Sequence, residues 1–195
     1  MDTYSVAIYL WDGVEELDFA GPYEVLKAWS SGTDRPITVR TVSDAGGVVR
    51  CANGLRVVPD VSWANLGEID LFVLPGGDSR LLTTDEKFLR RMRDLADSGT
   101  LMTSVCTGAL VYAKAGLLDG RPATTQWGAV ERLGEYGRDI RVDGDSRFVD
   151  DGNVVTAAGV SAGIDMALHL IARLDSVEAA QRIRRYIQYD PQPPI

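Results

Sequence analysis

The chain has 195 residues, 45% of them hydrophobic and 25% charged, with a formal net charge of −8. That length supports a sizeable core, and one domain over residues 1–195 is expected; no run approaches the roughly 18 apolar residues that a membrane span needs. The acidic balance repels phosphate backbones, so neither a nucleic acid nor a membrane is expected as a partner.

Met1 leads through two polar residues into an apolar stretch, without the basic start or cleavage site of a signal peptide, so a cytoplasmic protein is expected. Residues 5–11 read as a buried strand, and residues 15–29 as a helix with Leu17, Ala20, Pro22, Val25, Leu26 and Trp29 at helical spacing. Residues 37–42 alternate like a second strand. Residues 48–58 read as a hairpin, with Asn53-Gly54 favouring a type I′ turn. Residues 69–74 form an apolar run that ends at Pro75-Gly76-Gly77-Asp78, the pattern of a central parallel strand meeting a functional loop.

Residues 85–96 read as a helix, 101–105 as a buried strand and 107–118 as a further helix ending at Asp119-Gly120. Short strands are predicted at 123–125, 139–142, 147–149 and 154–157, then helices at 164–174 and 177–189. Three prolines among residues 191–195 stop the last helix. Alternating strands and helices predict an α/β fold whose mostly parallel sheet is covered on both faces, with ligands bound beyond the carboxyl ends of the strands. The loop after Trp11, the 75–78 loop and the turn at Cys106 all reach that edge.

Cys106 lies at a strand-to-helix junction, where helical N–H groups favour thiolate over thiol and make the sulfur nucleophilic. Thr107 and Gly108 offer amides just beyond it. Gly76 and Gly77, without side chains, let a second backbone N–H approach the same spot. Buried cysteines are more often inert packing groups, and the glycines can serve a turn alone. Cys51 reads as a spare thiol, and two distant cysteines fit a reducing compartment.

The usual partner of a catalytic thiol is histidine. The only one, His169, falls within an apolar helix, where a structural role is expected. A carboxyl group is therefore the candidate proton carrier, and Glu15, Glu16 and Asp18 all stand at the start of the first helix. Each could instead simply complement the helix dipole. No Cys/His cluster has metal-ligand spacing, the 143–151 acidic stretch lacks a calcium-loop pattern, and no nucleotide fingerprint is present; no metal or cofactor is expected.

Gly13-Val-Glu-Glu-Leu-Asp-Phe-Ala-Gly-Pro22, Leu74-Pro-Gly-Gly77, Ser104-Val-Cys-Thr-Gly-Ala109 and Ala115-Gly-Leu-Leu-Asp-Gly120 together resemble the ThiJ/PfpI superfamily, related to class I glutamine amidotransferases. The Asp18 position, the Cys106-Thr107 pair and the Tyr189-Asp-Pro-Gln-Pro-Pro194 ending look most like isonitrile hydratases. The resemblance implies a flavodoxin-like three-layer sandwich, a homodimer, Cys106 as nucleophile, Asp18 hydrogen-bonded to it, and the Gly77 and Thr107 amides beside the sulfur. It selects Asp18 among the three acids. Where many relatives carry histidine, this chain has Gln126, in Thr124-Thr125-Gln126-Trp127, which cannot act as a base and weakens a protease or amidase reading.

The implied reaction is cofactor-free hydration of a small-molecule isonitrile to an N-substituted formamide through a Cys106 thioimidate, with Asp18 moving the proton and Thr107 orienting substrate or water. Gly76, Gln126 and Trp127 are the candidate pocket residues, and Trp11 or Trp127 could line the organic group or belong to the core. Rival expectations are a thiol redox sensor whose oxidised sulfur Asp18 would bind, a glyoxalase-like activity, and a regulator-derived domain without its helix-turn-helix module.

Overall fold

The computed structural model describes residues 3–33 and 35–191. The expectation of a proline stop therefore falls, from residue 192 onward, outside the described residues, as does the reading of Met1 and its neighbour.

Strand β1 (Tyr4–Tyr9) is followed by helix α1 (Glu16–Ser31), β2 (Ile37–Ser43), the two-residue strands β3 (Val49–Arg50), β4 (Arg56–Val57) and β5 (Val61–Ser62), then β6 (Leu71–Leu74). Helix α2 (Glu86–Asp97), β7 (Leu101–Val105), α3 (Gly108–Lys114), β8 (Pro122–Ala123), α4 (Val130–Tyr136) and β9 (Arg141–Val142) come next. The described chain ends with β10 (Phe148–Asp150), β11 (Val154–Ala157), α5 (Ala162–Leu174) and α6 (Val177–Tyr186). The central sheet has the order β10-β11-β7-β6-β1-β2-β5, and every pairing is parallel except β10 with β11.

The five strands β1, β2, β6, β7 and β11 thus follow the 2-1-3-4-5 order of a flavodoxin-like sheet. Alternation along each strand sends side chains to opposite faces. Val6, Ile8 and Val73 pack with Leu26, Met166 and Leu170 under α1, α5 and α6. Tyr9, Phe72 and Leu74 pack with Phe88, Leu110 and Leu133 under α2, α3 and α4. The result is the expected flavodoxin-like α/β sandwich with helices on both faces.

Register sets the functional edge. Ile8 pairs with Val73, Leu74 with Ser104, and Val105 with Ala157, so β1, β6, β7 and β11 end level and their following loops converge. The order reverses between β1 and β6, the switch point where such sheets bind ligands. There the 10–15 loop meets the 75–78 loop through an antiparallel bridge between Val14 and Gly77.

Several boundaries differ from the sequence expectation. The helix predicted to reach residue 118 ends at Lys114, and residues 115–120 continue as turns. Helix α4 was not anticipated, and the strands predicted at 123–125 and 139–142 shrink to the short parallel pair β8–β9. The Asn53-Gly54 hairpin exists but is not type I′. Only Gly54 of the pair has positive φ (98°), Gly54 N–H donates to Cys51 O (3.1 Å) and Cys51 N–H to Leu55 O (2.8 Å), a three-residue loop closed by a glycine bulge. Glu16 dictates this choice: its Oε1 accepts the Asn53 N–H (2.9 Å) and its Oε2 the Asn53 side-chain amide (2.8 Å).

Two helix contacts seat the site. A Cβ on Gly163 would lie 3.0 Å from Pro22 Cγ, so α1 and α5 approach without an intervening side chain. A Cβ on Gly108 would lie 2.2 Å from Leu74 O and 2.9 Å from Pro75 O, which fixes α3 against the end of β6. Gly108→Ala is expected to lower stability by about 1–3 kcal/mol through backbone displacement, measured by denaturant unfolding; an unchanged midpoint would contradict this packing.

Candidate active site

The turn after β7 places Cys106 in the left-handed region, φ 58°, at 7% exposure. A non-glycine residue holds that conformation only when its surroundings compensate. Here Cys106 N–H donates to Ala157 O (3.1 Å) and Ala158 O (3.0 Å), while Thr125 Oγ1 donates to Cys106 O (2.7 Å). Both backbone groups of the turn are thereby held, and the side chain points to the converging loops.

Two backbone N–H groups face the sulfur, those of Thr107 and Val160. The first was expected and the second was not. Val160 itself sits at φ 46°, an unusual conformation for a β-branched residue, in the loop between β11 and α5. That strain aims its N–H at the thiol. Gly77 behaves differently from the expectation: its N–H donates to Thr107 Oγ1 (3.0 Å), and Thr107 Oγ1 donates back to Gly77 O (2.9 Å). The Gly77 amide is thus engaged by threonine instead of standing at the sulfur, and the Thr107 hydroxyl ties the 75–78 loop to the cysteine turn.

Of the three acids, Asp18 is the one at the thiol. It is fully buried; Oδ2 accepts the Gly76 N–H (2.8 Å), and Oδ1 has no hydrogen-bond partner among the described residues. The Cys106 side chain is near enough to hold down the proton affinity of this carboxyl, and the Asp18 charge in turn raises the thiol. Gly76 permits the approach, since a Cβ there would lie 2.6 Å from Thr107 N and 2.7 Å from Asp18 Oδ2. Glu15 and Glu16 turn instead to Asn53.

Burial pushes the Asp18 carboxyl up to about 7, helped by the charge of Glu15, and pushes the Cys106 thiol up to about 12, helped by the charge of Asp18. Gly76 N–H opposes the first shift, and the Thr107 and Val160 amides oppose the second. The pair therefore holds two protons below about 7, and one proton and one negative charge above it. Such a pair can offer a sulfur nucleophile and a proton donor at once.

A cleft of about 510 Å³ opens on the sulfur and is lined by Gly13, Glu15, Gly77, Thr107, Gln126 and Val160, among others. Gln126 is oriented by its Oε1, which accepts the Gly128 N–H (2.8 Å). Trp127 next to it is 78% exposed and lines an adjoining cavity instead. Trp11 does not line the cleft; it stacks on Tyr9, with ring centres 5.9 Å apart. Cys51 is buried and its thiol pushed up by burial and by Glu16. His169 bonds Asp150 (2.7 Å) and packs on Phe148, holding α5 to the edge strand. Among the described residues, no group of three or more His, Cys, Asp or Glu is placed to hold a metal ion, and no helix is long and apolar enough to cross a membrane.

Residues 4–173 match the model of the DJ-1/PfpI family. The chain belongs to the DJ-1/PfpI family. Its resemblance to the ThiJ/PfpI superfamily is thus borne out. It is 35% identical over 191 residues to isonitrile hydratase of Pseudomonas putida, covering 97% of this chain and 80% of that protein. It is also 33% identical to the HTH-type transcriptional regulator CdhR of Pseudomonas aeruginosa, over 73% of this chain and 42% of the regulator. A crystal structure of a ThiJ/PfpI family protein from Pseudomonas syringae superposes with a TM-score of 0.89 at 28% identity, covering 100% of this chain and 78% of that one. The family thus holds proteins named as enzymes and as regulators, and shares this fold.

The buried carboxyl links stability to pH. Between its ordinary value of 3.8 and about 7, folded Asp18 keeps a proton that the unfolded chain has released. Folding therefore binds protons there, and stability falls as pH rises through that window, by at most about 4 kcal/mol. Asp18→Asn is expected to raise the melting temperature at about pH 8 and to have less effect at about pH 5. Equal effects at both values, read by calorimetry, would contradict a raised carboxyl.

Proposed function

We propose that this DJ-1/PfpI protein hydrates isonitriles to N-substituted formamides with Cys106 as nucleophile and Asp18 as proton carrier. The observation that carries this reading is the fully buried Asp18 carboxyl, held by the Gly76 N–H beside the left-handed Cys106 turn. An isonitrile needs a nucleophile and a proton delivered to the same carbon. The likeness to the Pseudomonas putida isonitrile hydratase supports the assignment.

The Cys106 sulfur forms a bond to the terminal carbon, and that carbon takes the pair's proton from Asp18, leaving a neutral thioimidate and an Asp18 carboxylate. Water then adds its oxygen to the carbon; Asp18 takes the water's proton and passes it to the substrate nitrogen. As the hydroxyl becomes a carbonyl, its proton returns to Asp18, the carbon–sulfur bond breaks, and the pair regains one proton and one charge. The Thr107 and Val160 amides steady sulfur as it attacks and leaves. Thr107 acts through its amide and through the loop its hydroxyl holds. Gln126, at the place where histidine was sought, supplies hydrogen bonds without a titratable proton. A glyoxalase-like activity has less support because His169 is held at Asp150 and does not line the cleft.

The test is formamide production from cyclohexyl and p-nitrophenyl isonitrile by reduced protein. Wild type is expected to turn both over, Cys106→Ala to abolish the reaction, and Asp18→Asn to lower kcat by about 10²–10⁴-fold. Folded, reduced wild type without turnover, or a Cys106→Ala variant that retains it, would overturn the assignment.

A further inference from the structure

A second cavity, about 290 Å³, adjoins the cysteine cleft and shares two of its walls, Gln126 and Val160. A substrate whose reacting carbon lies at Cys106 has its organic group directed either to solvent or past these two residues. The chemistry of the second cavity is distinctive. Trp127 lines it while 78% exposed, so its indole is left largely uncovered by this chain.

The charges around the cavity do not cancel. Arg147 is the cation on its wall, and it is already matched: Nε donates to Asp165 Oδ2 (2.9 Å), and an Nη donates to Ser161 Oγ (3.0 Å) and to the same carboxylate. Tyr189 OH donates to the other oxygen of Asp165 (3.1 Å), so that pair is internally satisfied. Asp145 is exposed and lines the same cavity, and its carboxylate has no ion pair or hydrogen bond among the described residues. On the cleft side, Glu15 meets only a neutral amide, from Asn53 at 3.2 Å, whereas Asp78 is paired with Arg80. An uncovered indole beside an unpaired carboxylate is the combination that recognises an ammonium group.

We infer that this cavity is the subsite for the substrate's N-substituent and that Trp127 and Asp145 make it select cationic, ammonium-bearing isonitriles over neutral and anionic ones. The inference rests on the hydratase reading for the reaction, but not for the binding preference. Ammonium charge gains from both the indole face and the carboxylate, a neutral isostere gains only the apolar contact, and a carboxylate meets repulsion from Asp145 and Glu15. The small volume favours short substituents.

The experiment compares three isonitriles of matched reach: trimethylammonioethyl isonitrile, its neutral dimethylbutyl isostere and isocyanopropionate. The expected order of kcat/KM is cationic, neutral, anionic, with the cationic-to-neutral ratio about fivefold or more at low salt. Asp145→Asn and Trp127→Ala are each expected to bring that ratio toward one. A parallel arm measures binding of the corresponding formamides to the Cys106→Ala protein by calorimetry, which needs no turnover. If no isonitrile is hydrated, the hydratase reading falls and the formamide arm alone decides: tighter binding of the cationic formamide, lost in Asp145→Asn, upholds the subsite. Equal affinities, or a preference for the carboxylate ligand, which would assign recognition to Arg147, overturn it.

Discussion

A carboxyl group buried against a thiol is unfavourable unless the surroundings limit the charge they share, and the architecture around Asp18 and Cys106 is arranged around that constraint. One N–H, from Gly76, reaches the carboxylate, and two, from Thr107 and Val160, face the sulfur. No cation stands among the causes that shift either group. With backbone dipoles alone to stabilise it, the pair carries no more than one charge until the thiol itself titrates, and the proton it then retains is the one the proposed hydration would place on carbon.

Bringing these groups together requires backbone where side chains would ordinarily be. At Gly76 and Gly108 an added Cβ would come within 2.2–2.7 Å of its nearest neighbours, atoms of Thr107, Asp18 and Leu74. The parallel register brings four loops to one edge, and the switch point between β1 and β6 opens the cleft there. Strain at Cys106 is then held by its N–H donating to the carbonyls at the end of β11 and by the Thr125 hydroxyl donating to its carbonyl. Fold stability supports local backbone conformations that would not persist alone.

What the sequence made legible follows from where information is local. The strands at 101–105 and 154–157 were placed at their observed bounds because central parallel strands are short apolar runs bounded by small residues. Cys106 at its junction was legible for the same reason. Val160 was not, because nothing in Ala158-Gly159-Val160-Ser161 marks a left-handed valine. The choice of Asp18 over Glu15 and Glu16 depends on burial, which helical spacing alone left open. Helix α4 carries Gly134 in its middle, which weakens its helical signal. The type of the Asn53-Gly54 turn was set by Glu16, distant in sequence, overriding a local preference.

The account depends on how the proton is shared. The most direct measurement is the rate of Cys106 alkylation by iodoacetamide across pH in a Cys51→Ser background, for the chain with Asp18 and for Asp18→Asn. The rate is expected to stay low through the neutral range in the presence of Asp18, because burial and the Asp18 charge push the thiol up to about 12, and its rise is expected to move to lower pH in the asparagine variant, where that charge is gone. One shared inflection near the ordinary cysteine value of about 8.5 in both proteins would mean that Asp18 and Cys106 titrate independently, and would contradict the account.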